Sequence, residues 1–357
     1  MSLARFGWDR AWDAAFGAWA QEPGVEPARV VIEFNHIYRV AAERGEVEAT
    51  LAGRLKHRAA SRSELPAVGD WVALRAREGR DGAAIVGVLP RRSRFSRKAA
   101  GLVTDEQVVA ANVDLVFLVM GLDADFSVRR LERYLLTARE SGAEPVVVLT
   151  KPDRAQNLAE QVAAARAVSA GIALHVTSPR WNEGLAPLAA LLDGARTGAL
   201  LGSSGVGKST IVNRLVGEDV QRIREVREAD AKGRHATTHR ELVVLPNGGL
   251  LIDTPGMREL QLWDVGDAVR GTFEDVEAFA SGCHFTDCRH RGEPRCAVRE
   301  AVDRGALDPD RLVSYQRLQD ELQVLARQQD ERAQRDARRR ARVDSKALNK
   351  HLKTKRG

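Results

Sequence analysis

The stretch Gly202-Ser203-Ser204-Gly205-Val206-Gly207-Lys208-Ser209 constrains this chain more than any other. It fits G-x-x-x-x-G-K-[ST]. In that loop, backbone N–H groups cradle phosphate oxygens, the lysine reaches the β- and γ-phosphates, and the hydroxyl holds Mg²⁺. Ala199-Leu200-Leu201 before it reads as the end of a buried strand, and Thr210 to Val216 after it as the first turns of a helix. Strand, loop and helix together are the context the motif requires. Gly202 to Thr210 are therefore candidates for phosphate binding, and the chain is expected to contain an α/β nucleotide-binding domain.

The remaining length must be accounted for by other domains, since 357 residues exceed one ordinary domain. No stretch approaches the roughly 18 apolar residues of a membrane span, and the N-terminus lacks the basic-then-apolar pattern of a signal peptide. A cytoplasmic protein, monomeric and without a membrane partner, is expected. The three cysteines, Cys283, Cys288 and Cys296, are odd in number and clustered, which argues against a disulfide framework. The net charge of +6 is uneven: from Arg311 onward there are 14 Lys/Arg against 6 Asp/Glu. Such a tail suits a polyanion such as nucleic acid, or simply a solvated helix.

Taken in order, residues 1–28 begin with Trp8, Trp12, Phe16 and Trp19, spaced to put their rings on one helical face. That face is expected to pack against the body of the protein, with partner binding as the alternative. Residues 29–96 contain five short stretches rich in β-formers: Val30–Phe34, Ile37–Val40, Val47–Leu51, Asp70–Leu74 and Ala84–Leu89. Five strands suit a small barrel of the oligonucleotide-binding type. Two basic runs decorate it, Arg54 to Arg62 and Arg91 to Lys98, the second with Phe95 inside it. Cations with an aromatic ring suit single-stranded or looped RNA; ordinary solvated loops are the alternative.

From Asp114 the pattern alternates. Leu115–Val119 and Pro145–Leu149 are continuous apolar runs, as in strands buried on both faces. Helical spacing follows each, then Ile172–Val176, the phosphate loop and Leu250–Ile252. This predicts a doubly wound α/β domain over 97–262. A helical region, 263–325, surrounds the cysteines, and a basic helix and tail, 326–357, ends the chain.

Three further motifs fall at predicted strand C-termini, where open α/β sheets bind ligands. Thr150-Lys151-Pro152-Asp153 fits [NT]-K-x-D: Asp153 would accept the N1 and N2 hydrogens of guanine and Lys151 would cover the ring. Thr177 and Ser178 could contribute backbone contact to guanine O6. Asp253-Thr254-Pro255-Gly256 would place Asp253 near Mg²⁺ and the Gly256 N–H near the γ-phosphate. In ordinary GTPases the phosphate loop precedes the base-reading motifs. Here it follows them, so the domain reads as circularly permuted, which nearby domain termini permit.

The permuted order, the preceding barrel and the following Cys/His cluster resemble the ribosome small subunit-dependent GTPase A family. The resemblance spans about residues 29–325 and includes Gly202–Thr210, Gly233-Arg234-His235, Asp253–Gly256 and the metal cluster. It implies a slow GTPase that binds GTP and GDP, assists late maturation of the small ribosomal subunit through its rRNA, and is stimulated by binding it.

Cys283-x4-Cys288-x-His290-x5-Cys296 offers three thiolates and an imidazole, which suits one closed, structural Zn²⁺ site. His284, adjacent to Cys283, is poorly placed as a ligand. Met257 stands where many GTPases place the glutamine that positions water. His235, in the Gly233–Thr238 loop, is therefore the candidate for the hydrolytic step beside Lys208, and the resemblance points to the same histidine. Thr237 or Thr238 would join Ser209 on Mg²⁺; the family usually has three threonines here, and this chain has Ala236 first. Thr150 in place of the commoner asparagine is expected to weaken coupling between the base site and the phosphate loop. The competing readings are a nucleotide-independent RNA-binding assembly factor, a P-loop ATPase or kinase, and a permuted GTPase of the large subunit.

Overall fold

The computed structural model of the chain describes residues 2–34, 36–59, 61–77, 82–98, 106–217, 240–253, 273–317, 319–320 and 323. It divides into two compact units, one formed by 1–98 with 105–268, the other by 99–104 with 269–357.

The first unit opens with helix α1 (Arg10–Ala20), capped by Asp9, whose carboxylate accepts from the N–H groups of Ala11 and Trp12. Five strands follow: β1 (Val25–Phe34), β2 (Ile37–Ala42), β3 (Gly45–Leu51), β4 (Trp71–Ala76) and β5 (Ala83–Val88), with the short helix α2 (Gly53–Arg58) after β3. They close in the order β1-β2-β3-β5-β4-β1, antiparallel throughout except for the parallel β3–β5 pair. Closure leaves these strands no free edge along the ring. Trp71, Tyr38, Leu74 and Ile85 fill the interior and are fully buried. The helix covers the barrel with Trp12 and Phe16, both buried; Trp8, expected on the same helical face, instead precedes the N-cap Asp9 and meets Trp71 edge-on at 4.7 Å between ring centroids. A Cβ on Gly87 would sit 2.1 Å from the Trp19 ring, so the glycine makes room for that ring where it lies.

Two strands, β6 (Arg94–Lys98) and β7 (Glu106–Ala111), form a separate antiparallel pair. Then come β8 (Leu115–Gly121), α3 (Val128–Ser141), β9 (Glu144–Thr150), α4 (Leu158–Val168), β10 (Leu174–Thr177), α5 (Ala186–Ala190) and β11 (Thr197–Leu201). Residues 208–217 are helical (α6), and β12 (Arg240–Val244) and β13 (Leu250–Asp253) complete the sheet. The sheet order is β10-β9-β8-β11-β13-β12, with only β12 antiparallel to its neighbour within this half. The continuous apolar runs behave as expected: every residue of β8 is buried. Helix α3 starts at Ser127, whose hydroxyl accepts from Arg130 N, and stops at Gly142, which takes the left-handed conformation at φ 82°.

Barrel and α/β sheet share hydrogen bonds. The first half of β1 pairs with β4, a bulge interrupts its β2 pairing between Val30 and Ile32, and Ile32 and Glu33 then pair with Glu241 and Arg240 of β12. Arg240 reinforces the junction with a 3.2 Å ion pair to Glu33. Behind it lies Arg29, buried in the first unit. Its guanidinium donates to the carbonyls of Gly69, Phe6 and Asn112 and to the Thr197 hydroxyl, and it faces the Trp71 ring at 5.3 Å. Burial pulls its pKa down to about 10, so it remains charged at neutral pH, held by carbonyl dipoles rather than by a contacting carboxylate.

In the second unit, Glu274–Ala280, Ala297–Asp303 and residues 309–317 are helical. Phe273 and Tyr315 pack edge-to-face at 5.5 Å, Arg311 lies over Phe273 at 4.3 Å, and the Tyr315 hydroxyl donates to Glu277. Among the described residues no helix is long and apolar enough to cross a membrane.

Candidate nucleotide site and metal cluster

The phosphate loop leaves β11 at the point where chain connections diverge to opposite sides of the sheet, between β8 and β11. Open α/β sheets form their ligand crevice there. Gly202 is fixed by packing: a Cβ would stand 2.3 Å from the Val119 carbonyl oxygen of β8. Gly205 and Gly207 take φ of 77° and 102°, a backbone path that side chains resist and that turns N–H groups inward. Helix α6 begins at Lys208, so its N-terminal N–H groups and dipole face the same space. The Lys208 ammonium donates to the Gly202 carbonyl at 2.6 Å and also to that of Ser203. Val206 is buried, whereas Ser204, Gly205, Ser209 and Thr210 are exposed.

Helix α3 holds the loop from the side. The Ser203 hydroxyl accepts from Arg130 Nη1 at 2.9 Å and lies 3.2 Å from the Tyr134 hydroxyl. Arg130 is itself paired with Asp125 at 2.6 Å. Neither residue belongs to a nucleotide-binding sequence motif, so only the fold brings them to the loop.

The Thr150–Asp153 segment follows β9. Thr150 is fully buried, and its hydroxyl donates to the Val206 carbonyl at 2.6 Å. The expected weakening is therefore opposed by a direct bond between the Thr150–Asp153 segment and the phosphate loop. Lys151 takes the left-handed conformation (φ 57°, ψ 49°), which turns the chain into the short 3₁₀ helix Pro152–Arg154 and leaves Asp153 exposed. The Lys151 ammonium pairs with Asp123 at 2.6 Å, and this hydrogen bond, above all, holds the Asp123 carboxyl below its ordinary pKa. Thr177 ends β10 and Ser178 follows it, both buried. The Ser178 N–H already donates to Glu183 O at 3.0 Å, while Thr177 Oγ1 is a buried hydroxyl oxygen with no partner among the described residues. Asp253 closes β13 next to β11, and its backbone pairs with Glu241. His235, Thr237 and Thr238, with the rest of the Gly233–Thr238 loop, and Thr254 to Met257, including Gly256, lie outside the described residues, as does the tail from 324.

In the second unit Cys283, Cys288, His290 and Cys296 converge, their ligating atoms all within 4.8 Å of one another. His290 Nδ1 is 3.3 Å from the Cys296 sulfur and 3.6 Å from that of Cys283, and those two sulfurs are 3.9 Å apart. Metal–ligand bonds of 2.0–2.3 Å in a tetrahedron separate ligand atoms by about 3.3–3.8 Å, so the four residues could hold one metal ion. Burial, with the neighbouring Cys296 and Cys283 sulfurs, pushes the Cys288 thiol up to about 12. Burial likewise lowers the His290 pKa, favouring the neutral imidazole that a metal needs. Glu293 orders the intervening loop by accepting from the N–H groups of Arg289, Arg291 and Gly292.

The second basic run keeps Arg92 and Arg94 exposed but withdraws Phe95 and Arg91 from the surface expected of it. Phe95 is 1% exposed and belongs to the core, because β6 alternates and turns it inward, so it has no face to offer a base. Arg91 forks onto the fully buried Asp70, and Arg92 pairs with Asp9 while lying 4.1 Å over the Trp12 ring.

A phosphate loop placed after the strand that ends in Thr150-Lys151-Pro152-Asp153, in a sheet ordered β10-β9-β8-β11-β13-β12 with a five-stranded barrel before it, defines a circularly permuted P-loop GTPase. The RsgA GTPase family model matches residues 88–263. The "Small ribosomal subunit biogenesis GTPase RsgA" of Opitutus terrae is 49% identical over 348 residues, covering 94% of this chain and 95% of that protein. The protein of the same name in Xanthomonas axonopodis pv. citri is 44% identical over 330 residues, covering 90% and 88%. Among solved structures, YjeQ from Thermotoga maritima superposes with a TM-score of 0.60 at 24% identity, covering 84% of this chain and 99% of that one. YloQ, described as a circularly permuted GTPase, superposes with a TM-score of 0.57 at 22% identity, covering 87% and 97%. The chain belongs to the RsgA GTPase family and is a GTP hydrolase.

Proposed function

We propose that this GTPase acts in biogenesis of the small ribosomal subunit, binding the subunit through its rRNA, with nucleotide state controlling the grip. The observation that carries the reading is the joint placement of Lys208, Thr150 and Lys151 at one end of the sheet, in a chain 49% identical to a protein named for that process.

The guanine base would lie against Lys151 with its N1 and N2 hydrogens on Asp153, and Thr177–Ser178 would border it. Gly202 to Thr210 would take the phosphates. Ser209 with Thr237 or Thr238 would hold Mg²⁺, which screens the phosphate charge, while Asp253 and Gly256 would report the γ-phosphate. With Met257 in the usual glutamine position, His235 would orient the attacking water, and hydrolysis would be slow until the subunit binds. Cys283, Cys288, His290 and Cys296 would hold one structural Zn²⁺. That ion fits three thiolates and one imidazole with no coordination position left open. The working division is 1–28, barrel 29–96, GTPase 97–262, zinc domain 263–325 and basic tail 326–357, in a cytoplasmic monomer.

The test is GTP hydrolysis by the full chain, alone and with purified small or large ribosomal subunits. Stimulation is expected with the small subunit only. Lys208→Ala should abolish turnover, and His235→Ala should remove the stimulation while leaving GTP affinity near normal. Stimulation by the large subunit, or turnover that survives Lys208→Ala, would overturn the reading.

A further inference from the structure

We propose that Asp123 is a positioning residue for guanine recognition: it anchors Lys151 so that the lysine stem forms a fixed wall for the base. The inference rests on reading Thr150–Asp153 as the guanine site.

Both ends of the Lys151 side chain are held. At the backbone end, the left-handed turn at φ 57° is set between buried Thr150 and Pro152. Leu122, the residue before Asp123, donates its N–H to Thr150 O at 2.8 Å, so the two segments are joined beside the pair. At the far end, the ammonium meets Asp123 Oδ2 at 2.6 Å. Asp123 is oriented in turn, because its Oδ1 accepts from Asp125 N at 3.2 Å. Gly121 makes room for this arrangement: a Cβ there would lie 2.7 Å from Asp123 Oδ1. A lysine stem is among the most mobile side chains, and ordering it on binding opposes affinity. Here the ordering precedes the ligand.

Asp123 also settles a competition of charges. Asp153 lies two residues beyond Lys151, is exposed, and has no ion-pair partner among the described residues. Its proposed task requires both carboxylate oxygens to be available to the hydrogens of the base. An unanchored ammonium nearby would be drawn to that carboxylate. With Asp123 taking the ammonium, Asp153 keeps its acceptors, and the neutralised Lys151–Asp123 pair presents its CH₂ groups to an uncharged ring.

The experiment is calorimetric titration of the full chain with GDP and a non-hydrolysed GTP analogue, together with steady-state GTP turnover. Asp123→Asn should weaken both nucleotides alike, by about tenfold, raising KM while leaving kcat at saturating GTP unchanged. Asp123→Glu should recover part of the loss. In a Lys151→Met background, Asp123→Asn should change affinity by less than twofold, since no ammonium remains to be held. Wild-type affinity in Asp123→Asn, or the same loss with and without Lys151, would overturn the proposal. Asp153→Asn tests the underlying site separately and should exchange guanine for xanthine preference. If it does so while Asp123→Asn is silent, only the role of Asp123 fails. If guanine preference survives Asp153→Asn, the guanine site itself is misplaced.

Discussion

The Thr150 hydroxyl donates to the Val206 carbonyl across 2.6 Å, linking residues 56 positions apart in the chain. It ties the end of β9 to the middle of the phosphate loop with both groups out of water. Thr150→Val keeps the shape but leaves a buried carbonyl without its donor, which costs about 1–3 kcal/mol. Urea denaturation should show that loss, and GDP affinity should fall with it. Thr150→Asn, which restores a donor, should recover both.

Asp70 and Arg91 form a buried ion pair: the Asp70 side chain has no exposure, and Arg91 forks onto it at 2.7–3.2 Å. Arg91 also donates to the carbonyls of Ser63 and Leu65. The carboxylate outweighs the effect of burial and raises the Arg91 pKa. Arg91→Met strands a buried charge and should destabilise the first unit by about 3–5 kcal/mol in equilibrium denaturation. The double variant Asp70→Leu, Arg91→Met should be less unstable than Arg91→Met alone.

Asp9 gives the first unit a component of acid sensitivity. Its hydrogen bond with Arg92, foremost, lowers the carboxyl from 3.8 to about 2 in the folded chain. A depressed acid stabilises the fold at pH values above its unfolded pKa. That contribution should therefore be complete above about pH 4 and disappear as pH falls toward 2. Fluorescence from the Trp8–Trp12–Trp71 cluster should report it. Asp9→Asn should be less stable at pH 7 and should show a flatter stability profile between pH 4 and 2.

The Cys/His cluster predicts one metal ion per chain. Cys296 is 3% exposed, so Cys296→Ala removes a ligand from inside the cluster. Elemental analysis should find about one equivalent of zinc in the parent chain and a clear deficit in the variant. Proteolysis between residues 273 and 320 should accelerate both in the variant and after chelation. Full zinc content in Cys296→Ala would reject this ligand set.

How far the sequence foretold the fold varies with the kind of signal. Buried parallel strands such as Leu115–Gly121 announce themselves as unbroken apolar runs, and the phosphate loop is a local motif whose glycines act where they stand. Cys283 to Cys296 are equally local. The β6–β7 pair is not legible because its alternation is carried by Arg94, Phe95, Ser96 and Arg97, where a charged run masks period two. The same masking makes Phe95 read as a surface ring, which its burial rules out. Arg29, Asp123 and Arg130 were invisible for another reason. Thr197 is 168 residues from Arg29, Lys151 is 28 from Asp123 and Ser203 is 73 from Arg130, and no spacing along the chain encodes such meetings.

The pairing of Ile32 and Glu33 with Glu241 and Arg240 makes the barrel and the sheet one mechanical body. In a free-standing GTPase, β12 would be an exposed edge, open to any strand that could add to it. This chain fills that edge with its own β1, and so carries its docking partner within itself. β12 directly follows residues 218–239, the stretch that includes His235, Thr237 and Thr238. The barrel strand β1 is thus paired with the strand that enters the sheet straight after the proposed hydrolytic residues. If nucleotide changes how tightly the barrel holds a ligand, that ligand must change nucleotide affinity by the same factor.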